Sequence, residues 1–435
     1  MRELQPDGES ARKAAFTRAG LPTTISKLHG SLVTGRHIAI VCPGCGKAGS
    51  VAAVALRQAR GLACTFRVTL ISDSHPAEPI PRVEHFHIKP PSFDWLRRYG
   101  HVPREIAFAS YARRALTHLN QSRGVDFVLC HGHPVATLAA VPLQRTSKVP
   151  YGLVTHGDIF DRPAGTYDAR LTQFYRSVTP KAYRSADLVV VSSTHMQALA
   201  ERGGAANDSI RIIPHGIDPG ELGLGSSYTP PSATGPGLPL RILFVGRFSV
   251  EKGVDTLLQA CKRLIERNVQ FQLRLVGDGP LRDHLRAMST SLGVEQYSTF
   301  VGPLARDLLG SEYIDCHAVC IPSRSETFGM VAIEAMAAGR PVIGTNIGGI
   351  PFAVTHEKSG LLVPKDAPGE LADALERASR NPHMLKIMGR QGYDLCRKRF
   401  TWEGVTQELV EAIDATCTGL SRVSTRTTPR TRRQN

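Results

Sequence analysis

Residues 317–344 read HAVCIPSRSETFGMVAIEAMAAGRPVIG. The apolar run HAVCIP (317–322) is too short for a helix and stops at a polar loop, so it reads as a buried strand. Phe328-Gly329-Met330 is expected to form the first turn of a helix, and the run RPVIG (340–344) then starts a second strand. Strand, crossover helix and strand make a parallel unit, and a strand buried on both faces is continuously apolar instead of alternating.

Outward from this unit the same rhythm continues. The second half adds RILFVG (241–246), FQLRLVG (271–277) and STFVG (298–302). The first half has HIAIVC (37–42), RVTLIS (67–72), DFVLC (126–130), YGLVT (151–155), DLVVVS (187–192) and IRIIP (210–214). Between the two series lies PGELGLGSSYTPPSATGPGLPL (219–240), whose Gly, Pro and Ser content reads as a flexible linker. The expected architecture is α/β, with an N-terminal extension (1–35), a Rossmann-like domain (36–218), the linker (219–240) and a second Rossmann-like domain (241–398). A closing helix (399–417) carries Trp402, Val405, Leu409 and Ile413 near one face, and a basic tail (418–435) reads as disordered. Ligands of such sheets bind beyond the carboxyl ends of the strands, so two of them facing each other place the site in the cleft between.

Of the 435 residues 42% are apolar and 21% charged, enough for packed cores and incompatible with global disorder. No run approaches the roughly 18 uncharged apolar residues of a bilayer span, and residues 1–35 lack a secretory apolar core, so a cytoplasmic chain is expected. The net charge of +15 is uneven: +2 over 1–35, +9 over 36–218, −1 over 219–417 and +5 over 418–435. The basic first half and tail suit an anionic partner, which charge alone leaves open among lipid surface, nucleic acid and acidic substrate. Nine scattered cysteines read as reduced thiols. Cys42-Pro-Gly-Cys45 has no second Cys-x-x-Cys, and His85-Phe-His87 and His131-Gly-His133 lack the wider histidine spacing of a zinc finger, so no metal is expected.

The polar residues gather at strand ends. Pro43-Gly-Cys-Gly-Lys-Ala-Gly-Ser50 follows the first strand but is not a P-loop, because Ala48 replaces Ser or Thr and Val41 stands where the first glycine belongs. It reads equally as an anion-facing turn through Gly49 and Ser50 or as a plain tight turn. His156-Gly157-Asp158 ends the strand YGLVT; a lone histidine is more often structural, but this placement favours contact with a substrate hydroxyl. In the second half, Arg247 and Lys252 put two cations at a strand-to-helix turn, suited to a diphosphate, and Val276-Gly277-Asp-Gly-Pro280 is another glycine-rich strand end. Glu326 falls in the loop of the opening unit, main-chain N–H groups of Phe328, Gly329 and Met330 face a phosphate or sugar oxygen, and Glu334 lies far enough along the helix to accept ribose hydroxyls.

VGRFSVEKG, LVGDGPLR, PSRSETFGMVAIEAMAAGRPV and GLLVP together resemble the retaining glycosyltransferases of the GT-B fold, glycosyltransferase family 4, most closely over 240–365 and loosely over 36–416. The resemblance implies a sugar-nucleotide donor, UDP- or GDP-linked, and an acceptor hydroxyl. Arg247 and Lys252 would then hold the diphosphate, Glu334 the ribose, and Glu326 with the backbone of Phe328 to Met330 the donor sugar, while His156 would lie across the cleft. It also implies that the closing helix crosses back to the first domain. Gly49-Ser50 matches the family's Gly-Gly pair only in its first member, and Phe352 stands where the family usually has Glu. No Asp-x-Asp occurs, so no metal bridge to the diphosphate is expected. Nor does the sequence offer an obvious carboxylate nucleophile for a double displacement; the resemblance implies front-face displacement with retention.

Residues 93–116 interleave Trp95, Tyr99, Phe108 and Tyr111 with Arg97, Arg98, Arg104, Arg113 and Arg114. This pattern fits peripheral docking, together with 418–435, on an anionic membrane or an anionic acceptor, or else a pair of helices with a solvated arginine face. Two rivals to transfer are a sugar-nucleotide epimerase of the same fold and a noncatalytic anionic-polymer binder. The latter has no use for Arg247, Lys252, Glu326 and Glu334 together, and no nucleic acid is expected.

Overall fold

The computed structural model describes residues 35–45, 50–91, 102–132, 134–157, 169–232 and 238–419. The first sheet contains β1 (His37–Val41), β2 (Arg67–Ser72), β3 (Val83–His87), β4 (Phe127–His131), β5 (Tyr151–Val154), β6 (Leu188–Val191) and β7 (Ile210–Ile212), in the order β3-β2-β1-β4-β5-β6-β7. The second contains β8 (Leu240–Val245), β9 (Phe271–Val276), β10 (Ser298–Gly302), β11 (Ala318–Ile321), β12 (Val342–Thr345) and β13 (Gly360–Val363), in the order β10-β9-β8-β11-β12-β13. Every pairing is parallel; Ile40 of β1, for example, lies between Leu70 of β2 and Leu129 of β4. All five residues of β1 are buried, as a sheet covered by helices on both faces requires.

In each sheet the first strand is internal, and the chain reverses its direction of winding between β1 and β4 and between β8 and β11. A crevice opens outside the carboxyl ends at such a reversal. Two strands escape the apolar-run reading. The residues of β3 (VEHFH) are half-exposed or exposed because it is an edge strand paired only with β2, and β13 (GLLV) is four residues long and also at an edge.

The stretch expected to be a flexible linker is instead packed where it is described. Leu222 and Leu224 join the apolar core that includes Tyr313, Phe328 and Met336, and Arg340 donates to the Thr229 carbonyl at 2.6 Å. These contacts offset the chain entropy that its Gly and Pro content suggests. After Arg399 the chain returns to the first domain: Ile217 bridges Thr401, and Val405, Leu409 and Ile413 of the helix Trp402–Thr418 pack with Ala55, Ala59 and Leu62 of the helix Ser50–Leu62. Trp402 is only partly buried against that core. No helix among the described residues is long and apolar enough to cross a membrane.

Candidate active site

The second-domain wall begins at the carboxyl end of β8. Gly246 and Gly277 take φ of 153° and 138°, and a side chain on Gly277 would overlap the Gly246 carbonyl, so the two strand ends meet backbone to backbone. Arg247 follows, exposed and without an ion pair among the described residues. A short turn, Val250–Lys252, then ends at Gly253, whose left-handed φ of 62° lets it lie on the Pro322 carbonyl. That close approach carries Lys252 onto the loop after β11, where its Nζ meets Glu326 Oε2 at 2.6 Å. Their side chains are 28% and 15% exposed, so the pair is partly desolvated.

Arg324 holds this loop in place. Its guanidinium donates to both oxygens of Asp255, at 2.8 and 2.7 Å, and to Asp366, which raises its pKa above the ordinary arginine value. From behind, Gly349 N–H donates to the Glu326 carbonyl at 2.8 Å, and Gly348 (φ 55°) lies against the same oxygen. Gly348→Ala would drive a Cβ into that carbonyl in a left-handed conformation. The expected result is a loss of about 2–3 kcal/mol of stability together with a disproportionate fall in activity, read by thermal unfolding beside steady-state kinetics.

The helix of the opening unit is Met330–Ala337, starting two residues later than the sequence suggests because Gly329 adopts φ 96° and acts as its N-cap. The Phe328 side chain is core, edge-on to His215 at 5.0 Å and in contact with Phe352 and Phe400, so only its backbone faces the cleft. No side chain caps the helix, and the N–H groups of Phe328 to Val331 meet no acceptor among the described residues, which leaves the positive end of the helix available to an anion. One turn inside the helix, Glu334 is buried. It accepts from Tyr313 Oη at 2.8 Å and pairs with Arg306 at 3.1 Å. Burial raises its carboxyl pKa, while Arg306 and Tyr313 lower it. Arg306 also approaches Glu221, itself paired with Arg57 of the first domain.

Across the cleft, His156 follows β5. His131 Nδ1 and His156 Nε2 lie 3.2 Å apart, and the His156 ring is nearly parallel to that of His215, 6.0 Å between centroids. Burial lowers the pKa of His131 to about 3 and of His215 to about 4, so both are neutral at pH 7. The Glu326 loop reaches this wall directly: the Thr327 carbonyl accepts from Ser193 Oγ at 2.7 Å, and Gly157 faces the Thr327 methyl. The tertiary structure thus gathers His156, Lys252, Glu326 and the backbone at Phe328–Met330, with Glu334 behind the helix start. Gly277 sits behind Arg247 as support. Gly49 and Asp158 lie outside the described residues, and Ser50 is described only as the first residue of its helix.

Tyr313, Arg306, Ser193 and His215 were not singled out from sequence. Only His215 carries a local signal, a histidine and glycine directly after the strand run IRIIP.

A cavity of about 250 Å³ opens in the first domain at the carboxyl ends of β1, β2 and β4, lined by Gly44, Asp73, Arg104, Glu105, Phe108 and Gly132. Asp73 accepts from Gly44 N–H at 2.7 Å and from Arg104 at 2.8 Å. Burial raises Glu105 to about pH 7, against the lowering effect of its hydrogen bond from Tyr175. An acid whose folded pKa is raised withdraws stability as pH climbs from the ordinary carboxyl value through the raised one. Between pH 5 and 8 the protein is expected to lose about 2–3 kcal/mol through this group, and Glu105→Gln to flatten that part of a stability–pH curve. A larger cavity of about 740 Å³ lies at the opposite ends of β5 to β7, by Arg145, Lys148, Arg184 and Asp187, and holds no predicted site residue. In the helix Val102–Arg123, Phe108 is buried and Tyr111 packs on the core while Arg113 and Arg114 are exposed; residues 92–101 lie outside the description, as do 420–435.

Two parallel sheets thus face each other across a cleft, with an ion pair and an open helix N-terminus on one wall. The family model described as "Glycosyl transferases group 1" matches residues 235–395, and that of "Glycosyltransferase Family 4" matches 51–221. The chain belongs to glycosyltransferase family 4. A D-inositol 3-phosphate glycosyltransferase of Saccharomonospora viridis is 31% identical over 366 residues, covering 78% of this chain and 81% of that one. An uncharacterised glycosyltransferase of Methanocaldococcus jannaschii is 27% identical over 290 residues, covering 66% and 74%. Among solved structures, sucrose-phosphate synthase of Thermosynechococcus elongatus superposes with a TM-score of 0.72 at 22% identity, over 88% of this chain and 100% of that one. HepE of Anabaena in complex with UDP does so with 0.68 at 19%, over 87% and 100%.

Proposed function

We propose that this glycosyltransferase moves a hexosyl group from a nucleotide-diphosphate sugar to an acceptor hydroxyl with retention of configuration and without a metal bridge to the diphosphate. The observation that carries this reading is the Lys252–Glu326 pair beside the uncapped start of Met330–Ala337. Lys252, Arg247 and the helix N–H groups supply the positive charge that a departing diphosphate needs, preorganised and partly dry. Glu326 orients the Lys252 ammonium and accepts from hydroxyls of the donor sugar, and Glu334 accepts from the ribose. His156 lies where it can hydrogen-bond the transferred sugar or the entering hydroxyl. The acceptor enters from the first domain, through the cavity flanked by Asp73, Arg104 and Glu105.

A UDP-linked donor is favoured by the solved HepE complexes with UDP and UDP-glucose; the same donor is proposed here. The name of the inositol-phosphate relative and the +9 charge of residues 36–218 support a small anionic polyol as acceptor. Thermal shift against UDP-, GDP- and ADP-sugars, followed by NMR of the product made without added divalent ion, tests the proposal. An α-linked product from an α-linked UDP-sugar is expected. An inverted linkage, an epimerised donor formed without acceptor, or strict dependence on added Mg2+ or Mn2+ would overturn it.

A further inference from the structure

At the outer edge of the first sheet, away from the donor wall, three histidines converge. His85 and His87 are two residues apart on β3 and project to one face, as alternate residues of a strand do. His75 comes from the loop after β2, ten residues earlier in the chain, and stacks on His87 with 4.2 Å between ring centroids and 4.9 Å to His85. One ring nitrogen from each of the three falls within 4.8 Å of the other two. We infer that His75, His85 and His87 bind a divalent transition-metal ion, Zn2+, with water completing the coordination.

The hydrogen bonding already prepares two of the ligand atoms. Ser72 Oγ has one proton, which it donates to the Ser74 carbonyl at 2.6 Å, so toward His85 Nε2 at 2.7 Å it can only accept. His85 is thereby held as the Nε2–H tautomer with the Nδ1 lone pair free for a metal, the arrangement in which a ligand histidine spends its second nitrogen on an outer partner. His87 Nδ1 is buried and has no hydrogen-bond partner among the described residues, a cost that a metal bond removes. Tetrahedral Zn2+ with Zn–N of about 2.0–2.1 Å needs ligand nitrogens about 3.4 Å apart. Closing from the present spread requires a shift that His75, exposed on its loop, can supply. Three imidazoles without a carboxylate among them select Zn2+ over Mg2+ or Ca2+.

The ion would tie edge strand β3 to the loop that carries Asp73, which borders the first-domain cavity, so its role is structural and independent of the proposed transfer chemistry. Tag-free full-length protein titrated with Zn2+ alone is expected to bind one ion per chain and to gain thermal stability. Co2+ in its place should give the visible d–d bands of a four-coordinate site. His85→Gln with His87→Gln should weaken Zn2+ binding at least tenfold, as should His75→Ala at the exposed position if the double variant fails to fold, and Ser72→Ala should weaken it about tenfold. Undiminished binding by a folded histidine variant, or folded wild-type protein taking up neither ion at micromolar concentration, would refute the site. A chelator that lowers the melting temperature yet leaves turnover intact at low temperature would separate this site from any metal in catalysis.

Discussion

Replacing Lys252 with alanine is expected to lower kcat for sugar transfer about 10²- to 10³-fold while the protein stays folded. The magnitude is that of removing one preorganised charged donor from the place where negative charge develops in the transition state. One backbone and one side-chain device hold Lys252: Gly253 in the left-handed region, pressed on the Pro322 carbonyl, and the Glu326 carboxylate 2.6 Å from its ammonium. Loss of the pair itself should cost about 1 kcal/mol or less, because both side chains retain contact with water. Near-wild-type turnover by a folded Lys252→Ala protein would remove the diphosphate assignment. Lys252→Arg should restore little, since a planar fork does not replace a compact ammonium held by one carboxylate.

The second large effect belongs to Glu334. Its carboxylate is buried between Tyr313 and Arg306, and burial raises its pKa. The native state therefore holds that proton more tightly than the unfolded chain does, and stability falls as pH rises through the interval between the ordinary and the raised value. Burial disfavours the charged form of this carboxyl, a cost that Arg306 and Tyr313 offset in part. Glu334→Gln keeps the shape and an acceptor for Tyr313 but removes the charge, so the melting temperature is expected to hold or rise. Donor affinity, measured by calorimetry with UDP and as KM, should fall about 10- to 100-fold if the carboxylate grips ribose hydroxyls, since charged acceptors make the stronger hydrogen bonds. A lowered melting temperature with unchanged KM would make Glu334 a structural residue.

Much of the second-domain wall was legible because it is local. Arg247, Lys252, Glu326, Gly329 and Glu334 lie in or next to strand-to-helix turns whose position follows from an apolar run stopping, and strand ends are where ligands of parallel sheets bind. What surrounds them was not legible. Arg306 and Tyr313 reach Glu334 from 28 and 21 residues away in sequence and carry no pattern of their own. The loop behind Glu326 depends on Gly348 fitting against a carbonyl, a demand that arises only once β12 lies beside β11. The described part of 219–240 is packed despite its linker composition, because Leu222 and Leu224 find an apolar core to enter.

The amino-acid sequence by itself determined two tandem parallel α/β domains, their covering helices and the strand ends at which the polar residues gather. Apolar periodicity and turn residues act over a few positions and need no distant partner to be read. Tertiary structure alone decided which distant groups meet: Lys252 with Glu326 across 74 residues, Ser193 with Thr327 across 134, and His75 with His85 and His87 at one sheet edge. Such meetings depend on strand register and on how one sheet docks against the other, and those are properties of the whole packed chain.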